Sequence, residues 1–427
     1  MIQEIKFKNF LSFRDETTFS FVAQNNDNFA EKSQIIQKKD GTRLLRLALV
    51  FGYNASGKSN LIEVFNFLGG FWRRKTDDPE KDIFLIPFKL DKVSPHKHSF
   101  FEIIFYVGET KYWYQLELDN KKVYLEKLSY YKTTQPVMLF ERTIKNDKSK
   151  IKFGTKLELS PSARDLIELN CLKNVSFFVA RNAVNVDVPL IDDAKKWLFK
   201  NLFEPIEPST FLNSYAAEKI NRDSLLVKHL LGFLAEADFN IVDVETKTRK
   251  KSLPASVLKA IEEDKSISDD MKKQLVENET IETFLSHSVL NGTKKEKYWL
   301  KENEESLGTR RTLGLETVIY QVIQEKGFLA VDEIESSLHS KLLEMILFDF
   351  LRKESESQII ATTHNDGLLD LVDDLIRKDS VYFIEKKKNG VSDLYKLTDF
   401  KGVNRLSSIR TAYRNKRFGA TQFSASV

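Results

Sequence analysis

The spacing of hydrophobic and polar positions changes several times along the chain. Residues 1–23 alternate between apolar and polar side chains, a pattern that predicts paired strands. Residues 43–52, RLLRLALVFG, form a continuous apolar run, which is typical of a strand buried on both faces. Residues 99–143 carry aromatic and β-branched positions in pieces separated by short polar turns, and these pieces predict an antiparallel sheet.

Residues 157–300 follow a different period. Their apolar residues recur at spacings near three and four, so mostly helices are predicted there. Two segments near the end of this region, FNIVDVETKTRK and KYWLKEN, are predicted to be strands that return the chain to a sheet. Residues 327–353 and 357–372 then predict two strand-to-helix units, and residues 380–397 predict a closing hairpin.

Alternating strand and helix segments favour a largely parallel sheet, whose ligands gather at the carboxyl ends of the strands. We therefore predict an α/β fold with a mainly parallel core sheet, an antiparallel β subdomain and a helical insert. The predicted domains are an N-terminal part over 1–156, the mainly helical insert over 157–300 and a C-terminal part over 301–427.

Composition narrows the class of protein. Of the 427 residues, 41% are hydrophobic and 30% charged, with 9 prolines and 16 glycines, which indicates a folded chain with few flexible linkers. The single cysteine, Cys171, cannot form an internal disulfide, no apolar run approaches the roughly 18 residues that span a bilayer, and the N-terminal residues lack the apolar core of a signal peptide. We expect a cytoplasmic protein without a membrane partner.

One glycine-rich turn carries the clearest chemistry. Residues 52–59, GYNASGKS, satisfy the pattern G-x-x-x-x-G-K-[ST] between a buried strand and a helical segment. Its glycines let backbone N–H groups surround phosphate oxygens, while the lysine reaches the outer phosphates and the serine binds Mg²⁺. The predicted nucleotide-binding residues are Gly52, Tyr53, Asn54, Ala55, Ser56, Gly57, Lys58, Ser59 and Asn60.

Hydrolysis needs a carboxylate that organises the metal and a group that activates water. In GFLAVDEIE, an apolar strand leads directly to Asp332 and Glu333. Asp332 can support Mg²⁺ together with Ser59, and Glu333 can polarise the attacking water. The following strand, QIIATTHN, ends in His364, where a side chain can contact the γ-phosphate or that water.

A second anion site is predicted in NEESLGTRRTLGL, where a helix begins just before the acidic strand. Ser306 can cap this helix, and capping alone would explain the serine. Ser306, Gly308 and Thr309 also form a set of donors for an anion. Because each subunit already has one phosphate loop, this second site would serve the nucleotide of a partner copy.

The motifs together resemble the ATPase heads of the ABC and SMC type. More narrowly, the chain resembles the abortive-infection AAA-type ATPases of bacterial phage defence, the AbiL-like group often encoded beside a RloB-type partner. The matching stretches are KFKNFLSFRDE, RLLRLALVFGYNASGKSNL, IPFKLD, ESLGTRR, VDEIESSLHS, THNDGLLD and AYRNKRFGA.

This resemblance implies a head-to-head homodimer, or a larger assembly of such dimers, in which ATP bound by one copy is closed by Ser306 and Gly308 of the other. It implies Glu333 as general base, His364 as γ-phosphate sensor and residues 335–339 as the loop that crosses between the sites. A co-encoded nuclease or toxin would be the partner. The signature SLGTR differs from the transporter sequence LSGGQ. The metal-binding glutamine of such heads is not assigned, because Gln115 and Gln135 lie in the antiparallel region without a matching context.

Two alternatives to a defence switch stay open. A DNA-repair ATPase of the RecF kind would use the same dimer and bind DNA directly, whereas a transporter subunit is disfavoured by the long insert and the atypical signature. The net charge of +4 is too small to indicate nucleic-acid binding. The basic tail RLSSIRTAYRNKRFGATQF is predicted to be either a solvated face, a docking segment or a nucleic-acid contact.

Overall fold

The structure is a computed structural model, and it describes residues 1–24, 33–237, 239–250, 255–264, 272 and 279–421. The chain divides into two compact units. The first comprises Met1–Pro208, Val322–Ser336 and Leu347–Val427, and the second comprises Ser209–Gln321 and Ser337–Ile346. The predicted boundaries at residues 156 and 300 stay a prediction.

Both units contain strands and helices. The strands are β1 (Ile2–Lys8), β2 (Thr17–Ser20), β3 (Ile35–Gln37), β4 (Arg43–Leu45), β5 (Leu47–Phe51), β6 (Ser99–Val107), β7 (Thr110–Leu118), β8 (Val123–Tyr131), β9 (Pro136–Lys145), β10 (Lys148–Phe153), β11 (Ile241–Lys250), β12 (Glu279–Asn291), β13 (Lys294–Lys301), β14 (Phe328–Val331), β15 (Gln358–Thr363), β16 (Val381–Lys386) and β17 (Ser392–Lys396). The α-helices are α1 (Lys58–Arg73), α2 (Pro161–Asn170), α3 (Phe177–Arg181), α4 (Pro189–Lys196), α5 (Asn213–Arg222), α6 (Ser224–Glu236), α7 (Ala255–Glu263), α8 (Leu307–Gln324), α9 (Ser340–Arg352) and α10 (Ile409–Arg414). Among the described residues, no helix has the length and the apolar character needed to cross a membrane.

Two large sheets form the first unit. One is antiparallel, in the order β10–β9–β8–β7–β6–β1–β2, which confirms the antiparallel prediction and adds the N-terminal strands to the same sheet. The other has the order β14–β15–β5–β16–β17, in which β17 is antiparallel to β16 and the other neighbours are parallel. The fold is therefore mixed α/β, and the predicted parallel core sheet is confirmed.

Helix α1 follows the central strand β5 and belongs to the same hydrophobic core. Its apolar residues recur every three or four positions, so that Leu61, Phe65 and Leu68 are buried on one side. They join Val50 of β5 and residues of β1 and β6 in one core cluster. Burying each such side chain contributes about 2 kcal/mol of transfer free energy. This burial holds α1 in place against the core and thereby positions the loop that precedes the helix.

The second unit combines helices with a sheet in the order β11–β12–β13. Leu226 and Leu230 of α6 share a core cluster with Ile241 of β11 and Leu285 of β12. The strands at both edges match the predicted segments. The central strand β12 was not predicted, because its polar residues at Glu279, Glu282 and Ser286 hide the apolar alternation.

The prediction of one continuous strand over residues 43–52 was wrong at Arg46. The run is divided into β4, which pairs with β3, and β5, which pairs with β15 and β16. Arg46 lies between them with a fully buried side chain. Its guanidinium donates to carbonyl oxygens at and near the carboxyl end of α9. The acceptors are Ser33, Phe350, Leu351, Lys353 and Ser357.

Replacing Arg46 with methionine is expected to lower the free energy of unfolding by about 2 kcal/mol, because several buried carbonyls lose their donors while the cost of burying a cation is relieved. Burial without a carboxylate partner lowers the pKa of Arg46 to about 10, which shows how strongly the site disfavours the charge. Urea unfolding followed by circular dichroism measures the change. Arg14→Met, at a partly exposed position, should leave the midpoint unchanged; an equally unaffected Arg46→Met would contradict the assigned role.

The second predicted strand-to-helix unit was only half right. Strand β15 forms as expected, but residues Asp366–Leu371 form a 3₁₀ helix in place of an α-helix. The side chain of Asn365 accepts from the N–H of Gly367 at 3.0 Å, and Gly367 itself disfavours an extended α-helix.

Candidate functional site

Residues 52–57 connect the carboxyl end of β5 to the start of α1 at Lys58. Ala55 has a φ of 63°, and Gly57, the residue that caps the helix, has a φ of 114°. No described side chain caps the first amides of α1, and its first turn carries no acidic residue. These N–H groups and the positive end of the helix dipole are available to an anion.

Both glycines of the loop are required by close contacts. A Cβ at Gly52 would lie 2.7 Å from the carbonyl oxygen of Ile384, and a Cβ at Gly57 would lie 2.3 Å from Ser392 Oγ. Gly57 also has a φ that side chains rarely adopt. The two glycines therefore let the backbone of the loop pack directly against β16 and the start of β17, where a side chain would clash.

Lys58 lies folded back onto the loop. Its ammonium donates to the carbonyl oxygens of Gly52 at 2.9 Å and Tyr53 at 3.2 Å. Burial lowers the pKa of Lys58, and the carboxylates of Asp332 and Glu333 oppose that shift. The cation is held above the loop by weak carbonyl acceptors, which phosphate oxygens can replace.

The acidic pair lies at the end of β14. Thr362 of β15 donates its hydroxyl proton to Asp332 Oδ1 at 2.5 Å, and the hydroxyl oxygen of Thr362 accepts from the N–H of Glu333 at 2.8 Å. Glu333 has a left-handed φ of 45°, and this strained turn aims its side chain away from the strand. Oδ2 of Asp332 has no hydrogen-bond partner among the described residues, so this oxygen is available to a cation.

His364 joins the lysine to the acidic pair. Its Nδ1 lies 3.4 Å from Lys58 Nζ, and its Nε2 lies 3.2 Å from Glu333 Oε1. A neutral ring with the proton on Nε2 satisfies both contacts, because Nδ1 then accepts from the ammonium and Nε2–H donates to the carboxylate. The backbone N–H of His364 donates to the carboxylate of Glu335.

The strand register explains why these residues meet. Strands β14, β15 and β5 are parallel, with Val331 opposite Ala361 and Thr363 opposite Phe51. The residues that follow each strand therefore emerge at the same edge of the sheet. One edge of the first unit brings together the phosphate loop, Lys58, Asp332, Glu333 and His364.

The other predicted loop residues have separate surroundings. Ser59, Asn54 and Ala55 are exposed, and Ser59 leaves its hydroxyl accessible for a metal ion. The hydroxyl of Tyr53 exchanges two hydrogen bonds with the backbone of Lys386, at 2.9 and 3.0 Å, which ties the loop to the hairpin β16–β17.

Two serines from distant parts of the chain form hydrogen bonds that hold the phosphate loop in place. Ser392 Oγ donates to the carbonyl oxygen of Ser56 at 2.6 Å and lies 2.8 Å from Ser12 Oγ. Asn60 of α1 donates to Ser12 Oγ at 2.7 Å. Sequence reasoning missed Ser12, which lies between β1 and β2, Ser392, which begins β17, and Thr362 of β15. Their hydroxyls become informative only once the neighbours in the fold are known.

Replacing Ser392 with alanine is expected to weaken ATP binding about three- to tenfold, because one net hydrogen bond of about 1 kcal/mol no longer holds the carbonyl of Ser56. Titration with a fluorescent ATP analogue measures the affinity. Ser129→Ala, at a buried serine of β8, is the matched control and should bind normally. Equal affinity in all three proteins would exclude a supporting role for Ser392.

The predicted signature residues belong to the second unit. Ser306 precedes α8 and accepts from the N–H of Thr309 at 3.1 Å, so the predicted cap is formed. The hydroxyls of Ser306 and Thr309 lie 2.8 Å apart. Ser306 is exposed and Thr309 is buried, and a Cβ at Gly308 would lie 3.2 Å from the carbonyl oxygen of Ser337.

Two arginines of the basic tail are held by carboxylates. Arg410 and Arg414 form ion pairs with Asp366 at 3.1 and 2.5 Å, and Arg410 also pairs with Asp370 at 2.7 Å. Helix α10 is thereby docked onto the 3₁₀ segment that follows His364. Gln115, one of the two glutamines considered for the metal, donates to Glu102 within the antiparallel sheet.

Comparison with known proteins gives one family. The family model described as "AAA domain, putative AbiEii toxin, Type IV TA system" matches residues 47–165 and 180–370. None of the curated proteins is significantly similar to the chain in sequence.

Three solved structures are similar to the chain at low sequence identity. The SMC head domain from Thermotoga maritima is 15% identical, with 92% of this chain and 98% of that chain covered and a TM-score of 0.43. An Smc head bound to the C-winged helix domain of ScpA is 14% identical, with coverages of 93% and 99% and a TM-score of 0.41. An Smc head domain with an extended coiled coil, bound to the C-terminal domain of ScpA derived from Pyrococcus furiosus, is 12% identical, with coverages of 97% and 98% and a TM-score of 0.40.

The family match includes every strand of the core sheet up to β15, together with the phosphate loop, the acidic pair and His364. It spans more than half of the chain. The chain therefore belongs to this family of AAA-domain ATPases.

Proposed function

We propose that the chain binds ATP with Mg²⁺ at residues 52–60 and hydrolyses it to ADP and phosphate. The observation that carries this proposal is the continuous series of contacts from Lys58 through His364 to Glu333 at the end of the core sheet. A lysine, an imidazole and a carboxylate next to a phosphate loop supply the groups that phosphoryl transfer requires.

Each residue then has one role. Lys58 exchanges the carbonyls of Gly52 and Tyr53 for oxygens of the outer phosphates. Ser59 and Asp332 would hold Mg²⁺, which when bound offsets charge on the β- and γ-phosphates. Glu333 takes a proton from the attacking water. The water oxygen bonds to the γ-phosphorus, and the bond between the γ-phosphorus and the oxygen that bridges to the β-phosphate breaks. His364 contacts the γ-phosphate and positions Glu333.

We further propose that two copies close head to head around ATP. The hydroxyls of Ser306 and Thr309 carry two protons, and one of these is used in the contact between them. If the buried Thr309 donates to Ser306, the exposed Ser306 keeps its proton for a phosphate oxygen of the other copy, and its oxygen still caps α8. The residue is thus able to cap the helix and to bind an anion at once.

The biological role that we propose is a sensor and switch in bacterial anti-phage defence by abortive infection. ATP would hold two heads together, hydrolysis would release them, and a co-encoded partner nuclease or toxin of the Toprim or RloB kind would respond. The family description, which names a toxin of a type IV toxin–antitoxin system, supports this class of role. The resemblance to the AbiL-like group in the quoted motifs supports it further.

A phage challenge tests the defence role. Phage should form at least a hundredfold fewer plaques on cells that express the chain together with its neighbouring gene. The comparison is with cells that express the same neighbour and a Lys58→Ala chain. In parallel, fluorescence anisotropy measures binding of the purified chain to duplex DNA at several salt concentrations. Equal plaque counts together with salt-dependent DNA binding would contradict the defence role and favour the repair alternative.

A further inference from the structure

A cavity of about 860 Å³ lies in the first unit, away from the phosphate loop. Its lining comes from three parts of the chain: Gln24, residues 373–379 and residues 398–405. A volume of this size is typical of sites for small ligands, which occupy roughly 300–1,000 Å³.

The cavity lies at the opposite edge of the core sheet from the phosphate loop. Strand β16 runs parallel to β5, with Val381 opposite Leu49. Arg377 and Asp379 precede the amino end of β16, whereas the phosphate loop follows the carboxyl end of β5. Five residues of strand separate the two edges by about 16 Å, so one ligand cannot occupy both sites.

The charges deep in the cavity cancel one another. Arg377 and Asp379 are buried and form a two-pronged ion pair, with both N–O distances at 2.9 Å. Asp379 also accepts from the backbone N–H of Gln24 at 2.7 Å, and Arg377 donates to the backbone carbonyl of Gln24 at 3.2 Å. Lys378 pairs with Asp373 at 2.6 Å. The four charges of these two ion pairs therefore cancel one another.

The rim of the cavity carries cations that are not neutralised. Lys401 and Arg405 are exposed and have no ion-pair partner among the residues that the structure describes. The guanidinium of Arg417 lies 3.6 Å from the position of a Cβ at Gly402, which also lines the cavity. Arg410 and Arg414 of the same tail are paired with Asp366, whereas Arg405 and Arg417, which form no ion pair within the described part of the chain, lie next to the cavity.

One aromatic ring completes the lining. Phe400 borders the cavity and is supported by edge contacts to Tyr395 and Phe418, with ring centroids 5.5 and 5.1 Å apart. A ring that neighbours hold in place offers a flat apolar surface next to cations. Phosphate groups match the cations, and a planar base matches the ring.

We propose that this cavity is a second ligand site, which takes a nucleoside phosphate with its phosphate at Lys401 and Arg405 and its base against Phe400. The ligand is either a free nucleotide or the 5′-phosphorylated end of a nucleic-acid strand, because both present the same chemistry. Binding here is independent of ATP at the phosphate loop and gives the chain a second input.

Calorimetric titration tests the site in a Lys58→Ala chain, which removes the lysine of the phosphate loop. The probes are AMP, ATP and a 5′-phosphorylated thymidine tetranucleotide, with adenosine as the unphosphorylated control. At least one phosphorylated probe should bind with one molecule per chain, and Lys401→Glu combined with Arg405→Glu should weaken it at least tenfold. Binding of AMP supports the free nucleotide, and binding of the tetranucleotide alone supports the strand end.

A matched charge control separates a site from general attraction. Lys148→Glu combined with Lys152→Glu on the exposed strand β10 makes the same change in net charge and should leave binding intact. Absence of binding by every probe, or equal weakening by the two double variants, would overturn the proposal. Titration of the unsubstituted chain with AMP repeats the measurement without the Lys58 change, so a folding defect in one variant does not decide the result.

Discussion

Replacing Lys58 with alanine is expected to lower the affinity for ATP at least a hundredfold and to remove hydrolysis. The ammonium lies buried next to the phosphate loop, and its removal takes away the positive charge that interacts with the carboxylates of Asp332, Glu333 and Glu335. A hundredfold loss corresponds to about 2.7 kcal/mol, which is reasonable for a charge-assisted contact in a partly buried site. Titration with a fluorescent ATP analogue and a phosphate-release assay measure the two effects.

Lys127→Ala is the matched control for this experiment. Lys127 is also partly buried and pairs with Glu141 at 2.7 Å, but it lies in the antiparallel sheet. The Lys127→Ala variant should bind and hydrolyse ATP normally. Circular dichroism should show that both variants are folded. Undiminished ATP affinity in a folded Lys58→Ala chain would mean that residues 52–59 do not bind the phosphates.

The phosphate loop illustrates what sequence predicts well. A short motif fixes glycines, a lysine and a serine at set distances, and the strand and helix around it follow from local hydrophobic periods. The location of Asp332, Glu333 and His364 at one sheet edge also follows, because parallel strands place their following residues together. None of these steps needs knowledge of distant contacts.

Arg46 illustrates what sequence leaves out. Its run of apolar neighbours predicts one strand, but its guanidinium has acceptors more than 300 positions away, at the end of α9. Ser392 and Ser12 reach the phosphate loop in the same way, over 336 and 48 positions. Such partners depend on tertiary packing, and a single sequence carries no local signal for them.

The basic tail shows how structure divides one sequence pattern into two. In the sequence, one basic run contains all four arginines of the segment: Arg405, Arg410, Arg414 and Arg417. In the fold, Arg410 and Arg414 dock a short helix through carboxylates, whereas Arg405 and Arg417 lie next to a cavity and form no ion pair with the residues that the structure describes. Different arginines of one segment therefore have different surroundings: the two central ones dock the helix, and the two outer ones border the cavity.

Glu333→Gln is expected to retain ATP and to lose at least a hundredfold in hydrolysis rate. Glutamine has nearly the same shape, and its carbonyl oxygen can still accept from Nε2–H of His364, which donates to Glu333 at 3.2 Å. Its amide cannot take a proton from water, so the general base is removed while the geometry remains. ATP affinity should change less than threefold, and Glu354→Gln, at an exposed glutamate, should behave as the unsubstituted chain.

The same variant separates ATP binding from assembly. Since hydrolysis no longer releases the heads, light scattering with ATP should show twice the mass of a single Glu333→Gln chain. Adding Ser306→Arg places a bulky cation at the exposed start of α8 and should return the mass to that of one chain, while the phosphate loop still binds ATP. A Glu333→Gln chain that binds ATP tightly but never doubles in mass would show that each loop acts alone, and Ser306 would then be only the cap of its helix.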